Sequence, residues 1–168
     1  MTDFEATLRA KLARNAELAR EREQAEVEMD RVISDQRAAE ERAAAERAEA
    51  QKARHAELVE HLKALVLQLK ESSPETFIVR TGWTQSGEEF ITKLSTRLLE
   101  PARSLFIELD RDDDEVLARW TSDLGNTIEL WRLVEMTPQM LAELVVQVAD
   151  QEAWRGRSAP PPFPGARA

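Results

Sequence analysis

The sequence predicts an α+β protein: a long N-terminal coiled-coil helix is followed by a small β-α-β-β-β-α domain with an antiparallel three-stranded meander. Residues 1–73 contain neither Gly nor Pro and are rich in Ala, Glu, Arg, Gln and Leu, which are strong helix formers. All four Trp lie beyond residue 73. The end of the chain is Pro-rich, a composition that buries too little apolar surface to fold. We therefore expect a helix over 1–73, a head domain over 74–155 and a disordered tail over 156–168.

Composition excludes several classes of protein. The 168 residues include no Cys, which rules out disulfides and thiolate metal sites. The net charge of −9 argues against a nucleic-acid partner and against anionic membranes. No apolar run approaches the roughly 18 residues of a membrane span, and the first residues lack a secretory signal pattern. We expect a cytoplasmic protein without a cofactor, and the excess of Arg over Lys is typical of a GC-rich bacterial genome.

A heptad frame fits the first 53 residues, with apolar side chains at ten of fifteen a and d positions. Only five of the ten are large, so the seam is thin, and a polar Asn at an a position would fix its register. We expect a parallel homodimer, although 35–57 could also be a solvated, unpaired helix, or pair with a different protein. Ile33-Ser34-Asp35 is the weakest place for helix continuity, but no Gly or Pro supports a turn there. The seam residues are Phe4, Leu8, Asn15, Leu18, Met29 and Val32.

The end of the long helix has a wide apolar stripe. We expect it to pack on the head domain or to form the tightest part of the dimer. His55 and His61 fall on different faces of the helix, and two weak ligands such as Glu57 and His61 do not make a metal site. The stripe is formed by Leu58, Leu62, Leu65 and Leu69.

The head domain begins with a β-branched and aromatic strand over 76–80. Ser86-Gly87-Glu88-Glu89 has the pattern of a capping box and predicts a helix over 87–100. Three strands are expected next, and Thr137-Pro138 then supplies the cap of a final helix. The three strands are predicted over 104–110, 115–122 and 127–134.

The alternation of apolar residues predicts how these strands pair. A first hairpin turning at Asp112-Asp113 places one wholly apolar face across two strands, with Leu105 opposite Trp120. A second hairpin with a three-residue loop at 123–125 would pair Trp120 with Ile128. The opposite face would then carry an apolar row that is either covered by a helix or used as a partner-binding patch. That row is Phe106, Leu117 and Trp131.

One acidic loop resembles a calcium-binding loop at its first, third and fifth positions. It lacks the required Gly at the sixth position, where Glu115 stands, and the Glu at the twelfth, where Thr121 stands. We therefore predict a solvated hairpin tip, with an acidic docking site for a basic partner as the alternative. The loop comprises Asp110, Asp112, Asp113, Asp114 and Glu115.

No residues of the chain form a recognisable catalytic, cofactor-binding or metal-binding motif. We expect a non-catalytic structural or adaptor protein that self-associates through its coiled coil and binds a protein partner through its head. The alternative is an acidic inhibitor, immunity protein or antitoxin whose head and helix wrap a basic target, because residues 71–168 hold 17 acidic against 10 basic side chains. A carboxylate-dependent enzyme ranks last, since nothing selects a pair of carboxylates.

Overall fold

The computed structural model describes residues 2–165. The chain divides into two compact units, one ending at Arg47 and one beginning at Ala48. This boundary falls inside helix α1, which runs from Asp3 to Ser72. The end of α1 therefore belongs with the sheet, and the described residues of the first unit are helical apart from Thr2.

Helix α1 is continuous, as its composition predicts. Ser34 lies within it, so the expected continuity at that point is confirmed. In the first unit the described side chains are exposed, apart from a half-buried Ala43. All six predicted seam residues thus face solvent in the single chain, and their pairing with another helix stays a prediction.

The second unit is an antiparallel meander with short helices, which confirms the α+β class. Its five strands follow one another in the sheet in chain order, and each pairs antiparallel with the next. A 3₁₀ turn over Leu133–Glu135 leads into the last two helices. The elements are β1 (Phe77–Trp83), β2 (Glu89–Thr96), β3 (Arg103–Asp110), β4 (Glu115–Ser122), β5 (Gly125–Trp131), α2 (Pro138–Ala149) and α3 (Gln151–Trp154).

The predicted helix over 87–100 is wrong, because strand β2 occupies most of this range. The Ser86 hydroxyl does not cap a helix. It accepts a hydrogen bond from the Glu88 amide at 3.4 Å and closes the β1–β2 turn, where Gly87 has a φ of 75°. Phe90 and Leu94 are buried on one face as alternate strand residues, so the domain has five strands instead of four.

The core lies on one face of the sheet, here called the inner face. The register of β3 and β4 is confirmed, with Leu105 opposite Trp120. Helix α2 and the end of α1 contribute to the same core, and Leu58 and Leu62 have no exposed surface. Leu65 and Leu69 are half-buried at its margin.

The expected disorder of the tail is wrong for residues 156–165. Phe163 is buried, stacks on Trp120 at a centroid distance of 6.2 Å, and meets Trp131 edge-on at 5.9 Å. Pro160 and Pro161 are also buried. The tail folds because two tryptophans supply the apolar surface that its own composition lacks. Residues 166–168 of the predicted tail lie outside the described residues.

Candidate functional site

The face of the sheet opposite the core, here called the outer face, is the candidate functional site. Burial alternates along the central strands because successive side chains point to opposite faces. The helices from Ala48 onward each bury one apolar side against the inner face. On the outer face Ile128 is 57% exposed and Leu130 is 51% exposed. The side chains of the outer face include those of Ile78, Arg80, Glu89, Ile91, Lys93, Ser95, Ser104, Phe106, Glu108, Asp110, Glu115, Leu117, Arg119, Ile128 and Leu130.

One line of residues, here called the basic row, crosses all five strands of the outer face. Its members are directly paired from strand to strand, and its middle residue is aromatic. At about 4.8 Å between neighbouring strands, its first and last cations lie about 14 Å apart along the row. In order, the row is Arg80, Lys93, Phe106, Arg119 and Ile128.

The cations of the basic row are exposed and lack carboxylate partners. Among residues 2–165, Arg80, Lys93 and Arg119 have no carboxylate oxygen within the 4.0 Å of an ion pair. Arg119 places its guanidinium carbon 4.7 Å from the centroid of the Phe106 ring, a cation–π contact. Arg80 and Lys93 are directly opposite each other on β1 and β2, a like-charge pairing that destabilises a sheet.

A hollow of about 140 Å³ lies at one end of the basic row. Its lining combines the two facing cations with Ile78 and Ser95. Binding pockets for whole small molecules usually measure about 300 Å³ or more, so this hollow fits a single side chain or an acidic group.

The same outer face ends in a group of carboxylates. Oxygens of Glu89, Glu108 and Asp110 all lie within 4.8 Å of one another. Burial raises the pKa of the Glu108 carboxyl, and the negative charges of Glu89 and Asp110 raise it further. Asp110 uses one oxygen to accept hydrogen bonds from the amides of Asp112 and Asp113, at 3.1 and 3.0 Å. In the described part of the chain these carboxylates are the place where a cation would find three ligands. No other feature of the residues described around them indicates a bound cation.

The acidic loop forms the turn between β3 and β4, as predicted. Asp112 and Asp113 are exposed at its tip. A hydrogen bond with Asp110 and its negative charge raise the pKa of the Asp113 carboxyl. Asp114 has a different role, because its carboxylate accepts hydrogen bonds from Arg132 Nε at 2.9 Å and from the Leu133 amide at 3.1 Å. It holds the turn against the segment that follows β5. Glu115 is the first residue of β4.

The structure divides the three residues of the predicted patch between the two faces, and their use in binding stays a prediction. Phe106 and Leu117 lie on the outer face, but Trp131 lies on the inner face. The β4–β5 register predicted from a three-residue loop is wrong by one residue, because Ser122 pairs with Gly125 around a two-residue loop. The outer face therefore gains Leu130 and also Ile128, which the predicted register had placed opposite Trp120 on the apolar face.

The two histidines have separate surroundings. His55 is buried, and its Nε2 donates a hydrogen bond to the carbonyl oxygen of Leu109 at 2.9 Å, because a carbonyl oxygen can only accept. The ring also lies 5.8 Å from Trp83. His61 is exposed on α1. His55 thus ties the end of α1 to β3.

Comparison with protein-family models, with curated proteins and with solved structures gives no match for this chain. Over the described residues, none of the helices combines the length and the apolar character that a membrane crossing requires.

Proposed function

We propose that this protein is a non-catalytic adaptor of the bacterial cytoplasm that self-associates through the first part of α1 and binds another protein on the outer face of its sheet. The observation that carries the proposal is the composition of that face. It combines large exposed apolar side chains with cations that no carboxylate of the described residues neutralises.

Contiguous apolar surface on a soluble protein is typical of an interaction site. Phe106, Leu117, Ile128 and Leu130 occupy neighbouring positions on β3, β4 and β5. Aromatic and Arg side chains are enriched in protein interfaces, and Arg119 over Phe106 supplies one such pair. These features favour a protein partner over a small-molecule substrate.

Self-association is supported by the seam residues of α1. Phe4 is 72% exposed and Met29 is 59% exposed, and both fall in the heptad frame. An isolated helix is marginal in water unless it packs its apolar stripe against something. A dimer would carry two outer faces and would bind a repeated or dimeric partner with higher avidity than one face alone.

The self-association half is tested by molar mass from light scattering over a concentration series. We expect a stable dimer, and we expect Leu8→Arg combined with Met29→Arg to yield the monomer because it places charge in the seam. Ala13→Arg combined with Gln24→Arg adds the same charge at helix positions that are neither a nor d, and this variant should leave the dimer intact. A wild-type monomer at every concentration would refute this half of the proposal.

The binding half is tested with a photo-crosslinking residue at Ile128, introduced in the native cells. We expect a covalent adduct with another protein, and we expect Phe106→Asp to abolish it without changing the thermal midpoint. A crosslinker at Val146, an exposed residue of α2, is the matched control and should give no such adduct. Equal adducts from both positions would mean that the outer face is not the binding surface.

The acidic β3–β4 turn supports a second candidate, an inhibitor that docks on a basic target. Asp112 and Asp113 are exposed together, and the pKa of Asp113 is raised by its hydrogen bond with Asp110 and by the negative charge of that neighbour. Under this alternative, Asp112→Asn with Asp113→Asn would abolish the Ile128 adduct and Phe106→Asp would leave it unchanged. The adaptor proposal expects the reverse.

A further inference from the structure

We propose that the basic row binds an acidic peptide segment of the partner, in which a large apolar side chain lies between carboxylates. This inference rests on the proposed function, because it names the chemistry of the partner on the same outer face. It concerns the segment that crosses Arg80, Lys93, Phe106 and Arg119.

Charge complementarity is the first argument. The chain has a net charge of −9, yet three exposed cations share one row of the sheet, and none has a carboxylate within 4.0 Å among residues 2–165. Arg80 opposite Lys93 is a pairing that weakens the sheet by itself. A carboxylate bound between these two side chains would turn the unfavourable pair into a binding site.

The apolar part of the row supplies the second argument. Phe106 is half-buried between Lys93 and Arg119, and Ile128 continues the row with 57% of its surface exposed. An apolar side chain resting on Phe106 would exclude water from the flanking cations. Ion pairs strengthen when water is excluded, so the apolar contact and the carboxylate contacts would reinforce each other.

The acidic end of the outer face is the third argument, because it selects a peptide over a nucleic acid. Glu89 lies four residues from Lys93 on the same strand, and Glu108 lies two residues from Phe106, which correspond to about 13 Å and about 7 Å. A continuous phosphate backbone extending from the basic row would meet these carboxylates. A short segment that places its own carboxylates only over the row avoids them.

The test uses the full chain and a set of fluorescent nine-residue peptides. Each has a central Leu, Phe or Trp flanked by zero to four Asp residues, with Ala or Thr as spacers, and each has a matched peptide with Lys in place of Asp. We expect affinity, measured by anisotropy, to rise with each Asp and to fall several-fold between about 50 and about 300 mM NaCl. The Lys peptides should not bind.

The variant Arg80→Gln with Arg119→Gln should weaken the best Asp peptide about tenfold, since it removes two charge contacts. Arg97→Gln with Arg155→Gln removes the same charge from exposed positions outside the row and should have no effect. Lys93→Gln alone is the milder variant, in case the double variant fails to fold, and should weaken binding by a smaller factor.

Three outcomes overturn the inference. The first is no preference for Asp over Lys peptides. The second is that an oligothymidylate of ten nucleotides binds more tightly than the best Asp peptide and that the variant with Arg80→Gln and Arg119→Gln loses this binding. The row would then be a nucleic-acid surface. The third is a change of molar mass in that variant, which would mean that a second copy of this chain occupies the row. If the Ile128 adduct persists in the first case, the proposed function survives and only the acidic chemistry is wrong.

Discussion

The two faces of the sheet are built from the same strands and differ in what covers them. On the inner face Leu105, Ile107 and Trp120 are fully buried, whereas on the outer face Ile128 and Leu130 are about half exposed. The strand alternation is equal on both sides, and the difference comes from the helices and tail that cover only one of them. If the outer face binds a partner as proposed, side-chain parity separates stability from recognition. Substitutions on the inner face should then change the free energy of unfolding, and substitutions on the outer face should change partner binding.

The largest expected effect is on the inner face, at Trp120. Its ring meets Trp154 edge-on at 4.9 Å and stacks on Phe163, so Trp120→Ala would leave a large cavity. We expect a loss of about 3–5 kcal/mol in the free energy of unfolding, measured by urea denaturation. Ile128→Ala on the outer face should cost less than about 1 kcal/mol. Equal losses at the two positions would contradict the division between the faces.

The next largest effect is expected at Phe163, the tail residue that packs on the inner face. Phe163→Ala should lower the free energy of unfolding by about 3 kcal/mol, because it uncovers Trp120 and Trp131. The near-ultraviolet circular dichroism of the tryptophans should change as well. Pro162→Ala, at an exposed neighbouring position, is the control and should change neither quantity appreciably. An unchanged spectrum in Phe163→Ala would mean that the tail does not pack on the core.

A third prediction concerns the buried Arg103. Its guanidinium donates to the carbonyl oxygens of Val148 and Pro101, both at 3.0 Å, and lies 5.1 Å from the Trp154 ring centroid. Burial lowers the pKa of this group, which indicates the cost of placing it there. Arg103→Ala should destabilise the domain by about 2 kcal/mol because the carbonyls lose their donor. Arg97→Ala, at an exposed position, should leave the denaturation midpoint unchanged.

The smallest expected effect is a pH-dependent change in stability at Glu108, on the outer face. Its pKa is raised in the folded protein, so its ionisation disfavours folding at pH values above that raised pKa. Glu108→Gln should therefore stabilise the protein at about pH 7, by less than about 1 kcal/mol. The gain should vanish below the ordinary pKa of Glu, where the folded and unfolded chains both hold the proton.

Denaturation midpoints of wild type and variant at about pH 7 and about pH 3.5 give this comparison. Glu143→Gln, on the exposed surface of α2, serves as its control. A gain for Glu108→Gln that is equal at both pH values would show that carboxylate charge is not its cause.

The sequence predicted α1, the final helix and the β3–β4 register, because each depends on local signals that agree. The long Gly-free and Pro-free stretch, the Thr137-Pro138 cap and the strict apolar alternation around an Asp-rich turn all pointed to the observed structure. Strand β2 was predicted as a helix because Phe90, Ile91 and Leu94 recur at helical spacing, whereas only Phe90 and Leu94 share one face of the strand. Pairing with β1 on one side and β3 on the other favours the strand over the helix. Such pairing joins distant parts of the chain and cannot be inferred from the local sequence.

The composition of the outer face could not be predicted for a similar reason. A one-residue difference in the β4–β5 loop moves every β5 side chain to the opposite face. Gly125 fitted either loop, and the choice depends on burying Trp131 against Phe163, a residue of the tail that composition alone marked as unfolded. The sequence shows the cations of the basic row but not that they are neighbours. Arg80 and Lys93 lie side by side only because 89–96 is a strand that pairs with β1.

The packing of Phe163 with Trp120 also has a consequence for the order in which the molecule assembles during its synthesis. Leu58 and Leu62 emerge early as part of α1, but the core that buries them is completed only when residue 163 has been made, roughly one hundred residues later. Contacts between such distant parts of a chain slow folding. Until then the apolar stripe at the end of α1 stays uncovered, and the incomplete chain is more prone to aggregation than the finished one.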